Sequence, residues 1–285
     1  MINNTQEYYT PTSKAIRKQE IVDRYIKGES STKIAAAYNI NYLTVLNYVK
    51  KANVSIRNPG EYFRKHTFKY DFFETIDEEA KAYFLGFLIT DGTVVGKNVT
   101  ISLHSKDRHI IETYAECLDC HKPIHDRFTT AGFSKSGTPV SLLALFSDKY
   151  SSDLKALGVI ERKTYNTTIP KINENLERHL WRGILDGDGF IYVSKNKKVI
   201  SAGICGHINT MNAFKEFLDR HKIPSGKITP ESSVFSVRVT GKYCLQFLNL
   251  IYTDSDPKLC LKRKYEKYQE YLEYKKVNGK SKEQL

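Results

Sequence analysis

Two nine-residue stretches decide the organisation of this chain. Residues 84–92 read Phe-Leu-Gly-Phe-Leu-Ile-Thr-Asp-Gly, and residues 181–189 read Trp-Arg-Gly-Ile-Leu-Asp-Gly-Asp-Gly. Each has a glycine five residues before an Asp-Gly pair within an apolar, helix-like run, and the second begins 97 residues after the first. Similarity at a fixed separation indicates a repeated structural unit. The sequence therefore predicts two copies of one fold.

The segments after each stretch repeat the same order of strand-like and helix-like periodicity. After the first stretch, we expect strands near 93–104, 123–128 and 139–147 and helices at 106–119 and 148–157. After the second, we expect strands near 190–194, 199–205, 226–229 and 233–240 and helices at 208–222 and 242–252. This order predicts an α+β fold of two pseudo-symmetric αββαββα repeats. Repeat 1 is assigned to 73–170 and repeat 2, with a C-terminal helix, to 171–285.

The central glycines, Gly86 and Gly183, fall inside predicted helices. Glycine in a helix interior costs about 1 kcal/mol relative to alanine. Two helices whose backbones touch would recover that cost, since only glycine allows so close an approach. We therefore predict that the two motif helices cross at these glycines.

The aspartates of both stretches, Asp91 and Asp188, close their predicted helices and are followed by C-cap glycines. A carboxylate at this end is repelled by the negative end of the helix dipole. Paired helices would also bring the two carboxylates together. A divalent cation would neutralise this charge, and oxygen ligands suit Mg²⁺.

Both stretches resemble the LAGLIDADG motif of homing endonucleases, and the resemblance covers roughly residues 72–275. The first copy departs from the consensus at the sixth position, where Ile89 stands in place of the aspartate that the second copy has as Asp186. The resemblance implies saddle-shaped antiparallel sheets and a single-chain monomer with internal pseudo-two-fold symmetry. It implies that Mg²⁺ or Mn²⁺ is bound at the eighth-position acids and the glycines after them, namely Asp91, Asp188, Gly92 and Gly189. It further implies cleavage of both DNA strands across the minor groove, leaving short 3′ overhangs.

The family also has a lysine near the cleavage centre in each half. Residues 157–164 and 261–265 resemble the segments that carry these lysines. The resemblance assigns Lys163 and Lys264 as catalytic lysines, with Lys262 as a substitute for the second. Such a lysine could stabilise charge in the transition state or orient water, whereas a solvated lysine that binds phosphate is the alternative.

Residues 1–56 predict a small all-helical domain. A turn at 39–41 separates a short helix, capped by Ser31 or Thr32, from a third helix with Leu43, Leu46 and Val49 on one face. The pattern resembles the helix-turn-helix of resolvases and invertases, and a generic three-helix bundle is the alternative. The polar residues of the third helix predicted to contact DNA are Asn41, Tyr42, Thr44, Asn47, Lys50 and Lys51. A basic linker at 57–72 follows and contributes Arg57 and Arg64.

Further DNA contacts are expected from the outward face of each sheet. Val99, Ile101 and Leu103 alternate with polar residues, as do Phe235, Val237 and Val239. The outward candidates are Thr100, Ser102, His104, Arg127, Lys195, Lys227, Thr229, Ser236 and Arg238. A solvated sheet face is the alternative for each.

The amount and the distribution of positive charge along the chain favour a polyanionic partner. The net charge is +12, and residues 1–70 hold 12 basic against 5 acidic side chains. Residues 257–285 hold 9 against 4, and the middle of the chain is balanced. Basic ends on a neutral body favour binding to nucleic acid. No apolar run approaches the roughly 20 residues that a membrane-spanning helix needs.

The start of the chain has no signal-peptide pattern, and five cysteines, an odd number, do not form a disulfide framework. We therefore expect reduced thiols in a cytoplasmic setting, that of a bacterial or phage-infected cell, with an organelle left open.

These observations predict a site-specific, Mg²⁺-dependent endonuclease that cleaves double-stranded DNA at a long site, as in intron homing. Two alternatives remain: a DNA-binding transcription regulator that keeps the fold without the chemistry, and an RNA-binding splicing maturase. The retention of both Asp91 and Asp188 favours the nuclease, because a protein that only binds has no need of two repelling carboxylates.

Overall fold

The computed structural model describes residues 13–57, 66–130, 137–160 and 168–280. The chain divides into two compact units, Met1–Lys65 and His66–Leu285. Among the described residues, no helix combines the length and the apolar character needed to cross a membrane.

The first unit contains the helices α1 (Ser13–Ile26), α2 (Ser31–Tyr38) and α3 (Tyr42–Lys51). Between α2 and α3, Asn39 takes the left-handed conformation at φ 50°, which an asparagine tolerates better than most residues. The predicted turn at 39–41 is therefore present. The structure has the three predicted helices, and the DNA-reading role of the unit stays a prediction.

Two details of this unit differ from prediction, namely the cap of α2 and the buried face of α3. Ser30, and not Ser31 or Thr32, caps α2 by accepting a hydrogen bond from the backbone N–H of Lys33. The core face of α3 is formed by Val45 and Val49, while Leu43 is 53% exposed. A face spaced by three residues drifts around the helix, because the true repeat is 3.6 residues, and Leu43 lies beyond the edge of the buried face.

The second unit begins its first repeat with α4 (Glu79–Asp91). The strands β1 (Gly92–Val95) and β2 (Asn98–His104), the helix α5 (Arg108–Cys117), the strands β3 (His125–Thr129) and β4 (Thr138–Phe146) and the helix α6 (Asp148–Ala156) follow. The strands form an antiparallel sheet in the order β1-β2-β4-β3. In β2 the alternation of Val99, Ile101 and Leu103 with partly exposed residues is as predicted.

The second repeat has the same order of elements. It contains α7 (Glu174–Asp188), β5 (Gly189–Val193), β6 (Ile200–Gly206), α8 (Ile208–Arg220), β7 (Thr229–Glu231), β8 (Val234–Thr240) and α9 (Gly241–Tyr252), followed by α10 (Lys262–Lys280). Its sheet has the matching antiparallel order β5-β6-β8-β7. The predicted α+β fold of two αββαββα repeats is confirmed.

One hydrophobic core runs through both repeats, and α4 and α7 lie against each other within it. From Ala82 to Ile89, α4 is buried all round, as expected of a helix enclosed on every side. Each of these helices passes directly into the first strand of its sheet. This geometry fixes the place where Asp91 and Asp188 emerge.

The glycines that end α4 and α7 act differently from the predicted caps. Gly92 has φ −74° and Gly189 has φ −98°, so neither takes the left-handed conformation. Instead, a Cβ atom on Gly92 would lie 2.6 Å from the carbonyl oxygen of Leu88, and one on Gly189 would lie 2.5 Å from that of Leu185. These glycines provide room for a sharp change from helix to strand.

Candidate active site at the crossing of two helices

The crossing of α4 and α7 depends on a glycine from each helix. A Cβ atom on Gly86 would lie 2.1 Å from the carbonyl oxygen of Leu180, and one on Gly183 would lie 2.0 Å from that of Tyr83. No side chain fits at either distance without moving a backbone. The two helices are therefore packed backbone to backbone, and the contact is reciprocal.

A third glycine lies nearer to the aspartates. A Cβ atom on Gly187 would lie 1.8 Å from Oγ1 of Thr90 and 2.8 Å from Oδ2 of Asp91. The Asp91 carboxylate thus lies beside the residue that precedes Asp188. Asp91 is half-buried and Asp188 is exposed. The crossing brings the two acidic helix ends together at the surface of the unit.

The sequence analysis did not identify Gly187 as a contact residue, although the sequence contains an indication of its role. The second motif reads Asp-Gly-Asp-Gly, one glycine more than the first, and the matching residue of the first is Thr90. Only one member of such a facing pair can have a side chain.

The carboxylate oxygens at this site are ligands of the kind that Mg²⁺ prefers, but there are few of them. In the described ranges, no cluster of three or more histidine, cysteine or acidic side chains is placed to hold a metal ion. Two carboxylates suit Mg²⁺, because this ion keeps several waters and is commonly held by one or two carboxylates together with substrate phosphate. Asp91 and Asp188 are the residues that would hold it.

Lys264 lies at the first turn of α10 and is 4% exposed. Its ammonium donates hydrogen bonds to the carbonyl oxygens of Leu185 and Asp186, both at 2.7 Å, and of Gly189 at 2.6 Å. The ammonium therefore caps the C-terminal end of α7, where the helix dipole favours a cation. It is enclosed by carbonyl groups rather than directed into solvent.

Two opposing effects act on this lysine. Burial lowers the pKa of Lys264 to about 8, and the negative charges of Asp186, Asp91 and Asp188 act in the opposite direction. Both candidate metal ligands are therefore within electrostatic reach of the ammonium. Because the ammonium also occupies the Gly189 carbonyl, a metal ion at that oxygen would meet a positive charge. This contact disfavours Gly189 as a ligand, whereas Asp91, Asp188 and Gly92 stay predicted ligands.

Asp186, at the sixth position of the second motif, is fully buried. Its carboxylate accepts hydrogen bonds from the Tyr83 hydroxyl at 2.9 Å and from the backbone N–H of Leu261 at 2.8 Å. Burial raises the pKa of this carboxyl group. The first motif has the buried, apolar Ile89 in the matching place. Asp186 therefore fastens the segment that carries Lys264 to the motif helix.

Arg182 strengthens the same attachment and was not foreseen. Its buried guanidinium donates to the carbonyl oxygens of Leu259 and Ile251, both at 2.9 Å, and to the Glu79 carboxylate at 2.6 Å. The signal in the sequence is an arginine at the second position of the second motif, where the first motif has Leu85. A buried cation of this kind requires partners.

On the sheets, most predicted DNA-contacting residues are accessible. Thr100 and Ser102 are half-buried, and the exposed residues are His104, Arg127, Lys195, Lys227, Thr229 and Arg238. Ser236 differs, because it is 7% exposed and its hydroxyl donates to the Glu231 carboxylate at 2.6 Å. The alternation of the strand was read correctly, but the neighbouring strand β7 supplies a side chain that covers this position.

In the first unit, Thr44 is half-buried and the other candidates on α3 are exposed, namely Asn41, Tyr42, Asn47, Lys50 and Lys51. The side chain of Asn41 also caps α3 by accepting a hydrogen bond from the N–H of Leu43. Arg57 donates to the carbonyl oxygens of Tyr25 and Glu29 at 2.8 Å and 2.6 Å, so its guanidinium is engaged within its own unit. Arg64 and Lys163 lie outside the described residues.

Comparison with known proteins supports the resemblance given above. The family model of the LAGLIDADG-like domain matches residues 78–135, a segment that contains the first motif, its sheet strands β1 to β3 and helix α5. No curated protein matches the chain.

Among solved structures, one similar chain is full-length DUF199/WhiA from Thermatoga maritima, with 18% identity and a TM-score of 0.43. The match covers 73% of this chain but only 65% of that one. The homing endonuclease I-WcaI bound to its DNA recognition sequence has 13% identity and a TM-score of 0.48 over 75% of this chain and 96% of its own. The LAGLIDADG meganuclease I-AabMI bound to uncleaved DNA has 12% identity and a TM-score of 0.43 over 70% and 91%.

Proposed function

We propose that this chain, in which residues 78–135 match the LAGLIDADG-like domain, is a site-specific, Mg²⁺-dependent endonuclease of double-stranded DNA. The observation that carries the proposal is the pair of aspartates at the ends of two helices that cross at glycine. Carboxylates at the adjacent negative ends of two crossing helices are unfavourable. The Lys264 ammonium offsets part of this cost, and a divalent cation would offset more.

In this proposal, Asp91 and Asp188 hold the metal at the centre of the pseudo-two-fold arrangement. When bound, Mg²⁺ supplies Lewis-acid stabilisation of the charge on the phosphate and on the leaving oxygen. The cap that Lys264 forms on α7 balances part of the negative charge and keeps the end of that helix in place. Each carboxylate would serve one DNA strand, since the two repeats have the same order of elements.

The DNA would lie along the outward faces of the two sheets, as major-groove ribbons. Exposed Arg127 in repeat 1 and Arg238 in repeat 2 lie on β3 and β8, in matching sheets. The helix α3 would add a second point of recognition on the same duplex, and linked binding sites increase overall affinity. The net charge of +12 is consistent with such a partner.

Incubation of the full chain with a randomised duplex DNA library tests this proposal, with Mg²⁺ in one reaction and EDTA in the other. The expected result is double-strand cutting at one sequence motif in Mg²⁺ and none in EDTA. Cutting that is equal in EDTA would contradict the metal requirement. The absence of cutting in Mg²⁺ or Mn²⁺ would contradict the nuclease.

A second candidate, a DNA-binding regulator without cleavage, is favoured by one specific observation. Lys264, assigned to catalysis by resemblance, is enclosed by the carbonyl oxygens of Leu185, Asp186 and Gly189. The same library distinguishes the two functions, since a regulator enriches a bound sequence and leaves it intact. Binding to structured RNA in place of duplex DNA would favour a maturase.

A further inference from the structure

The strand β4 has apolar residues on both of its faces. Leu143 and Leu145 point into the core and are buried. Strand alternation places the intervening residues on the outward face, which therefore presents Leu142, Ala144 and Phe146. Leu142 and Ala144 are half-buried, and Phe146 is 57% exposed. We refer to these three residues as the β4 stripe.

Neighbouring strands continue this outward face. Thr100 pairs with Ala144 and Ser102 with Leu142, so the polar residues of β2 lie beside the stripe. Asn98 pairs with both Phe146 and Val95, which places the exposed Val95 on the same face. The face is thus a mixture of apolar groups and small hydroxyl side chains.

The corresponding face of the second sheet is different. On β8 the outward positions beside the buried Val237 and Val239 are Ser236, Arg238 and Thr240. The centre of this strand therefore carries an arginine where β4 carries apolar residues, although Val234, Phe190 and Tyr192 of the same face are apolar or aromatic. Arg238 is exposed, and its guanidinium lies 5.1 Å from the centre of the Phe190 ring. Two repeats with the same strand order therefore present chemically different surfaces.

Basic side chains lie along the side of the β4 stripe that faces β3. Arg127 pairs with Val140, and His125 pairs with Leu142, on the adjacent strand β3. The Lys122 ammonium lies 5.3 Å from the centre of the Phe146 ring. An apolar strip bordered by basic groups matches the edge of a DNA major groove, where thymine methyl groups lie between phosphate backbones. This charge pattern favours DNA over an apolar protein partner.

We propose that the β4 stripe reads thymine C5-methyl groups, so that the half-site bound by repeat 1 is thymine-rich, whereas repeat 2 reads guanine through Arg238. Apolar side chains contact the thymine methyl in the major groove, and arginine pairs with O6 and N7 of guanine. The inference rests on the proposed binding of duplex DNA by this chain. The two half-sites would then differ in sequence, with thymine on the side of repeat 1 and guanine on the side of repeat 2.

The first step of the test is selection of bound duplexes from a randomised library, in Ca²⁺ to prevent cutting, by the wild type, Leu142→Asn and Arg238→Ala. We expect Leu142→Asn to relax the sequence preference in one half-site and Arg238→Ala to relax it in the other. The half-site whose sequence preference each variant relaxes is thereby assigned to the repeat that carries the substitution. A half-site that depends on Leu142 and is not enriched in thymine would overturn the proposal.

The second step replaces thymine by uracil, which lacks only the C5-methyl group, in one half-site at a time. In the half-site assigned to repeat 1, we expect binding to weaken by about fourfold per contacted methyl group, the equivalent of one buried methylene. The Leu142→Asn variant should lose this sensitivity, and uracil in the other half-site should have no effect.

Equal binding of thymine and uracil duplexes in the first half-site would overturn the inference and leave the proposed function intact. A selection that enriches no duplex at all would overturn both.

Discussion

At the residue scale, the glycines of the crossing are needed for space and not for backbone freedom. The glycines with positive φ are found elsewhere, for example at Gly28 and Gly241. Gly86 and Gly183 have ordinary helical backbones but face a carbonyl oxygen of the partner helix at a distance that excludes a Cβ atom. The two residues therefore determine how closely the aspartates of the two helices approach.

We expect Gly86→Ala and Gly183→Ala to lower the free energy of unfolding by more than about 3 kcal/mol each, because the added methyl group forces two buried backbones apart. Urea unfolding measures this. Gly206→Ala is the matched control, since a Cβ atom there would meet nothing closer than 3.7 Å. Unfolding of Gly86→Ala at the same urea concentration as the control would contradict the crossing.

The cap that the Lys264 ammonium forms on α7 is expected to stabilise the folded state. Lys264→Met removes a buried ammonium that is bound to several carbonyl oxygens, so we expect a loss of about 2–3 kcal/mol in unfolding free energy. Lys262→Met changes an exposed lysine two residues earlier and should cost less than about 0.5 kcal/mol. Equal effects of the two substitutions, measured by chemical denaturation, would mean that the cap does not contribute to stability.

The same lysine predicts a pH dependence. Burial lowers the pKa of Lys264 from 10.5 to about 8, so between these values the unfolded chain binds more protons than the folded chain. The folded state therefore gains stability as the pH rises through this window.

We expect the difference in unfolding free energy between wild type and Lys264→Met to grow from pH 8 to pH 10.5. Tyrosine ionisation is common to both proteins and cancels in this difference. A difference that shrinks over the same range would show that the carbonyl oxygens raise the pKa of the ammonium instead.

At the element scale, the order of helices and strands was predictable because periodicity is a local property. The alternation in β2 and the runs around both motifs each contain enough residues to define a period. The repeat also gave a second, independent observation of every element, since the order found after Asp91 recurs after Asp188. Element order followed from these patterns, and the pairing of the two motif helices followed from Gly86 and Gly183 inside them.

Features that depend on tertiary neighbours were not predictable in this way. The resemblance of residues 261–265 to a family segment indicated a lysine near the site, but it did not indicate that the ammonium of Lys264 would donate to the end of α7. The burial of Ser236 depends on Glu231 of a different strand. The extended backbone of Gly92 and Gly189 depends on how sharply a helix passes into a strand, which composition does not reveal.

At the scale of the whole molecule, charge is concentrated in the first unit and at the C-terminal end. Lys50 and Lys51 lie in the last turn of α3 and are exposed. Phosphate contacts release counterions, so the number of such contacts can be read from the salt dependence of binding.

If α3 contacts the duplex, Lys50→Gln/Lys51→Gln should make the slope of log Kd against log salt concentration shallower by about 2. The control is Lys18→Gln/Lys27→Gln, which removes the same charge from other exposed positions of the unit. Fluorescence anisotropy on the selected duplex measures both variants. An identical change in both would show a general charge effect rather than contact by α3.

The role of the paired aspartates is tested by comparing cutting and binding of the selected duplex by the wild type and Asp91→Asn/Asp188→Asn. Asparagine has the same shape as aspartate without the charge, so the fold and the DNA-binding surface are preserved. We expect cutting in Mg²⁺ to fall at least about 100-fold, the scale of losing electrostatic stabilisation of a transition state, while Kd stays unchanged or decreases. Undiminished cutting by the double variant would contradict the assignment of the paired aspartates as the catalytic centre.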